Sequence, residues 1–147
     1  MNRFYKILLT DMMFEMHKNI LCESKNGKFK DEMGNSFWYL NGKLHREDGP
    51  AVEGPDGRKV WFINGERHRE DGPAMILNEG SKFWYLHGMR HREDGPAVEW
   101  SNQYKQWFIN DVELTEEEFN QWLAKKQLKD NLFLFLDKRY EEKRTKI

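Results

Sequence analysis

Three stretches of this chain hold residues that could do chemistry: His45-Arg46-Glu47-Asp48, His68-Arg69-Glu70-Asp71 and His91-Arg92-Glu93-Asp94. A histidine beside carboxylates is a set that can bind a metal ion or work as an acid–base pair. Yet the block occurs three times at a spacing of 23 residues, each time followed by Gly-Pro-Ala. Catalysis needs one asymmetric constellation, and a repeated block is explained at once by a role in defining a repeat. Within it the arginine would pair with an acidic neighbour and the aspartate would bond its own turn. Repeated ligand binding through these edges is the second reading. Elsewhere, Ser24, Ser36, Ser81 and Ser101 stand in turn-like contexts, and no Gly-x-Ser-x-Gly or phosphate-cradling loop accompanies them. Cys22 is the single cysteine, which excludes an intrachain disulfide and a cysteine-based zinc site. The expectation is a non-enzymatic protein with no cofactor and no metal.

The elements that must carry these blocks follow from the same period. Trp38, Trp61, Trp84 and Trp107 are 23 residues apart. Each opens a run of the type Trp61-Phe62-Ile63-Asn64-Gly65, although Asp111 replaces the glycine in the last copy. Aromatic and β-branched residues favour strands, and Asn-Gly is the dipeptide best suited to a two-residue hairpin turn. Asp71-Gly72 turns the chain again, Pro73 opens the next strand at an edge position, and Pro55-Asp56-Gly57 makes the next turn. Residues 36–41, 59–64, 82–87 and 105–110 are therefore predicted strands, and residues 28–37 a partial first copy. The fold class is mainly β (α+β): an elongated antiparallel meander of 23-residue hairpin repeats over residues 24–114.

Neighbouring strand residues point to opposite faces. One row holds Trp38, Leu40, Trp61, Ile63, Trp84, Leu86, Trp107 and Ile109, and being the more uniform it is assigned to the core. The other holds Phe37, Tyr39, Val60, Phe62, Phe83, Tyr85, Gln106 and Phe108, and is either a second buried face or an exposed ladder of Tyr39, Phe62, Tyr85 and Phe108 flanked by Arg46, Arg69 and Arg92. These seven residues, with His45, His68 and His91, are the candidate partner-binding positions, since aromatic and arginine side chains dominate binding hot spots.

The array is expected to be closed at both ends. Phe4, Leu8, Met12, Met16 and Ile20 lie four apart, as in an amphipathic helical cap over residues 1–23. Thr115-Glu116-Glu117-Glu118 is a capping box opening a C-terminal helical cap over 115–147. A second helix is expected to start near Asp130 or Asn131, with a buried strand over Leu132–Leu136 as the alternative.

The repeated His-Arg-Glu-Asp-Gly-Pro-Ala block after Trp-Tyr/Phe-Leu/Ile-x-Gly resembles MORN-type repeats, in the variant frequent in phages and giant viruses. The resemblance spans about residues 36–113. It implies an elongated sheet used as a scaffold or binding surface, and hence a phage-encoded protein that binds and inhibits a host factor. The better-known form of the motif centres on Tyr-x-Gly-x-Trp and is associated with lipid binding, so a peripheral membrane protein that binds phospholipid through the basic repeat positions Arg46, Arg69 and Arg92 is the alternative.

Totals bound these readings. The chain has 147 residues, enough for one domain, and 14% aromatic residues argue for a folded core despite 33% charged residues. Net charge is −1; residues 36–114 carry 10 basic and 13 acidic side chains (10 − 13 = −3). That balance disfavours a nucleic-acid partner, leaves a membrane partner weak, and fits a protein partner or a homo-oligomer. No stretch reads as a secretory signal or a membrane span, so the expected location is cytoplasmic, the host cytoplasm for a viral protein.

Overall fold

A computed structural model of the chain describes residues 25–144, with side chains up to residue 140. The expected helical cap over residues 1–23 and Cys22 lie outside the described residues.

The protein is mainly antiparallel β-sheet followed by one helix. A ten-stranded sheet contains β1 (Gly27–Lys30), β2 (Ser36–Leu40), β3 (Lys43–Leu44), β4 (Val52–Glu53) and β5 (Lys59–Val60). It continues through β8 (Met75–Ile76), β9 (Lys82–Phe83), β12 (Val98–Glu99), β13 (Lys105–Ile109) and β14 (Val112–Leu114). The strand order is β1-β2-β4-β5-β8-β9-β12-β13-β14, with β3 paired on β2. Two small hairpins stand beside it, β6 (Phe62–Ile63) with β7 (Glu66–Arg67) and β10 (Tyr85–Leu86) with β11 (Met89–Arg90).

The expected single strands over 59–64 and 82–87 are each broken at their tryptophan. Before it, Val60 pairs with Val52 and Met75 in the long sheet; after it, Phe62 pairs with Arg67 in the small hairpin. Trp61 stands at the change of partner: its N–H donates to Ala74 O at 2.8 Å and its carbonyl accepts from His68 N–H at 3.3 Å. The corresponding bonds of Trp38 and Trp84 go to Ala51 and His45, and to Ala97 and His91. The hairpin turns take left-handed backbone at both central positions, φ 52° at Asn64 and 87° at Gly65. Asparagine tolerates that region and glycine has no side chain to oppose it, which is why this dipeptide recurs there.

The core lies on the opposite row from the one assigned by sequence. Val60, Phe83 and Phe108 are buried together with Val52 and Val98, while Ala51, Ala74 and Ala97 are 0% exposed. The four tryptophans are only half-buried. Both rows are apolar, so alternation could not choose between them. The tryptophan row loses because each indole of the first three is covered by an arginine of its own block instead of by another layer. The guanidinium carbon lies 4.2 Å from the Trp38 ring centre, 4.3 Å from Trp61 and 4.0 Å from Trp84.

Past β14 the chain forms one helix, α1 (Glu116–Arg144), where two were expected. Its capping box is closed: Thr115 Oγ1 accepts the Glu118 N–H at 3.2 Å, and Glu118 accepts the Thr115 N–H at 2.8 Å. The Thr115 N–H, then its hydroxyl, hold the Glu118 carboxyl below its ordinary range. Residues 124–131 contain neither Gly nor Pro and consist mainly of good helix formers, so nothing stops the helix at Asp130. The Leu132–Leu136 run is helical, not a strand, and is exposed. Only the first turns of α1 meet the sheet, with Phe119 buried, Trp122 stacked on it at 5.9 Å, and Lys126 paired with Glu93. No helix among the described residues is long and apolar enough to cross a membrane.

Candidate functional site

The three His-Arg-Glu-Asp blocks form successive loops along one edge of the array. Each histidine reaches forward to the next hairpin turn. Nδ1 of His45 accepts the Asn64 N–H at 3.1 Å, that of His68 accepts the His87 N–H at 3.2 Å, and that of His91 accepts the Asn110 N–H at 3.2 Å. The side-chain Oδ1 of the same asparagine also lies against Nδ1, at 3.0 Å for His45 and 2.6 Å for His91, which leaves the ring's other nitrogen, Nε2, for its own block. That nitrogen faces Glu47, Glu70 or Glu93 in its own block at 3.6, 3.7 and 3.7 Å, too far for a hydrogen bond. Each histidine thus serves as a staple between consecutive hairpins. In the last turn Asp111 takes the glycine position at φ 63° and its carboxylate accepts the Arg90 N–H and Nε–H, at 3.1 and 2.7 Å.

The arginines turn inward. Arg69 stacks on Trp61, donates from Nε to Asp71 at 2.8 Å, and sends its backbone N–H to Tyr85 O at 3.1 Å. Arg46 and Arg92 repeat this with Asp48 and Asp94, at 2.8 and 2.7 Å. In each block the arginine's hydrogen bond comes first among the causes that hold Asp48, Asp71 and Asp94 below the ordinary carboxylate range. The glycine after each Asp lets the guanidinium lie close to the backbone, and a Cβ at Gly72 would stand 3.2 Å from Arg69 Cζ. These arginine side chains are 20–26% exposed, whereas Glu47 and Glu70 are 86% and 82% exposed. The edge therefore presents carboxylates to solvent, not the row of positive charge that the sequence suggests.

Between consecutive loops lie two open grooves of the same design. One, about 790 Å³, has Trp84 and Leu86 on its floor, His91 beside them, and the loops Arg69–Pro73 and Arg92–Asp94 as walls. The other, about 320 Å³, has Trp61, Ile63 and His68 between the loops Arg46–Gly49 and Arg69–Asp71. Six of the ten candidate positions, the three histidines and the three arginines, thus stand on one edge, and five of them (all but His45) line the grooves.

The aromatic ladder is not open. Phe108 is 1% exposed and belongs to the core, and so cannot meet a partner. Tyr39, Phe62 and Tyr85 are half-buried under cations of adjacent elements: Lys25 lies over Tyr39, Arg67 over both Phe62 and Tyr85, and Arg90 covers Phe108. Stacked cations satisfy the ring faces that a partner would use. The residues that sequence reasoning passed over are Glu47, Glu70 and the floor pairs Trp61/Ile63 and Trp84/Leu86. A signal was present, because an Arg–Asp pair within a turn leaves the intervening Glu47 or Glu70 facing solvent.

Among the described residues no group of three or more His, Cys, Asp or Glu side chains is placed to hold a metal ion. The chain matches no protein-family model, no curated protein and no solved structure.

Proposed function

We propose that the chain is a non-enzymatic scaffold of tandem 23-residue repeats that binds a protein partner along the loop edge. The observation that carries this is the pair of equivalent grooves, each with an indole and an aliphatic floor between carboxylate-bearing rims. Apolar floors with a few polar groups at the margin are what peptide anchors use. The free charges on the rims are acidic, so the partner segment carries an aromatic or aliphatic anchor next to Lys or Arg. Within the chain itself Lys126 pairs with Glu93, a rim residue of the larger groove. A viral protein engaging and inhibiting a host factor is the setting that the repeat resemblance implies.

The alternative, peripheral phospholipid binding, relied on Arg46, Arg69 and Arg92. Each is already bonded to an aspartate in its own loop and stacked on a tryptophan, which weighs against it.

Selection from a random peptide library with the full chain tests the proposal. Selected peptides should combine a large apolar residue with Lys or Arg, and a Glu47→Lys/Glu70→Lys variant should lose them at least tenfold. Peptides that bind the variant equally well would refute the reading. Sedimentation with anionic vesicles, unaffected by those substitutions, would favour the lipid alternative.

A further inference from the structure

The two grooves share one wall, the loop Arg69–Asp71, and their floors are equivalent positions of consecutive repeats, Trp61 with Ile63 and Trp84 with Leu86. Trp61 directly follows β5 and Trp84 directly follows β9, and only β8 lies between those two strands in the long sheet. Two steps of about 4.8 Å put the floors roughly 10 Å apart.

A ligand that fills both grooves must hold two anchors on one face at that spacing, and backbone geometry limits what it can be. In a β-strand, residues of one face recur about 6.6 Å and then about 13 Å apart, and neither distance matches. A polyproline II segment has three residues per turn at about 3.1 Å each, so residues i and i+3 share a face about 9.3 Å apart. An α-helix offers i and i+7 at about 10.5 Å, but its residues i+3 and i+4 lie on the same face between them. Those side chains would land on the Arg69–Asp71 loop that separates the floors. The two residues between the anchors of a polyproline II segment project to either side and leave that ridge clear.

We propose that the occupant of the loop edge is a polyproline II segment of a partner protein, with apolar anchors at i and i+3 and a Lys or Arg beside them. This rests on the reading of that edge as the binding surface and names its ligand. Each floor presents a half-buried indole with an arginine stacked on it. Grooves lined by aromatic rings are where polyproline II segments dock, because such a segment is ordered beforehand and loses little entropy on binding. Charge places the basic residue. Glu70 is exposed on the shared wall and Glu47 on the outer wall of the smaller groove. Glu93, on the far wall of the larger groove, is already paired with Lys126. The ligand's cation therefore stands between the two anchors or next to the one in the smaller groove.

Titration of the full chain with fluorescently labelled peptides tests this. The probes are proline-rich peptides with one arginine and two leucines set two, three or four residues apart. A proline-rich peptide with a single leucine and an alanine-based helical peptide with leucines seven apart complete the set. The three-residue spacing should bind at least tenfold more tightly than every other probe, since its second anchor acts at high local concentration. Leu86→Gln should erase that advantage while the single-leucine peptide still binds. Were this variant not to fold, the spacing series on the native chain decides alone. Equal affinity at all spacings, tighter binding of the helical peptide, or binding of no probe would each overturn the inference. The edge reading survives those results if Glu47→Lys/Glu70→Lys still weakens peptides selected on the native chain, and falls with the inference if it does not.

Discussion

Phe108→Ala is the substitution that most directly tests which row is the core. Phe108 is 1% exposed, packs with Phe83, Ala97 and Val98, and has the Arg90 guanidinium 3.8 Å from its ring centre. A phenylalanine buries roughly 150–250 Å², worth about 4–6 kcal/mol at about 25 cal/mol per Å². Compactness of the unfolded chain removes about 10–40% of that. The cavity left behind and the lost cation–π contact restore part of it, giving about 4 kcal/mol, within the usual range of about 3–5 for such a truncation. With a urea slope of about 2 kcal/mol per molar, the unfolding midpoint should fall by about 2 M. Trp61→Ala, at a half-buried ring whose second face opens into a groove, should cost about 2–3 kcal/mol despite the larger side chain. The comparison is read from urea curves followed by circular dichroism, which does not depend on the deleted indole. A larger loss for Trp61→Ala than for Phe108→Ala would refute the assignment of the core to the Val60–Phe83–Phe108 row.

Gly72→Ala should destabilise by about 1–2 kcal/mol through collision with the Arg69 guanidinium, and by less than about 0.5 kcal/mol in an Arg69→Ala background; equal costs in both backgrounds would mean the packing is not the cause. Asp48, Asp71 and Asp94 have carboxyls held below the ordinary range in the fold, so their contribution is full above about pH 4. It should be lost as pH falls through their lower folded values. Urea midpoints from pH 7 down to pH 2.5 should therefore drop less steeply for the triple Asp→Asn variant than for the native chain. Thr115→Ala removes the acceptor for the Glu118 N–H and should lower stability by about 1 kcal/mol, seen as a lower thermal midpoint at 222 nm.

The sequence by itself determined what is local. Asn64-Gly65 specifies its turn because only residues tolerant of positive φ fit both central positions. Thr115 to Glu118 specifies the start of α1 because the two groups satisfy each other's N–H within one turn. The 23-residue recurrence of His-Arg-Glu-Asp marked one edge, because identical blocks in equivalent hairpins must stack in register. What the sequence left open depended on distant partners. A period of two says that Phe62 and Phe108 share a row, but not whether that row is covered. Phe108 became core because Phe83 and Val98 close over it, and the tryptophans stayed half open because Arg46, Arg69 and Arg92 fold back onto them. Whether Leu132–Leu136 was strand or helix was equally undetermined locally, since a short apolar run has no period of its own; helix propagation from Glu116 through residues without a breaker decided it. The charge of the loop edge was also a tertiary outcome: arginine and glutamate are neighbours in the chain, and only the stacking of the guanidinium on an indole leaves the carboxylate facing solvent.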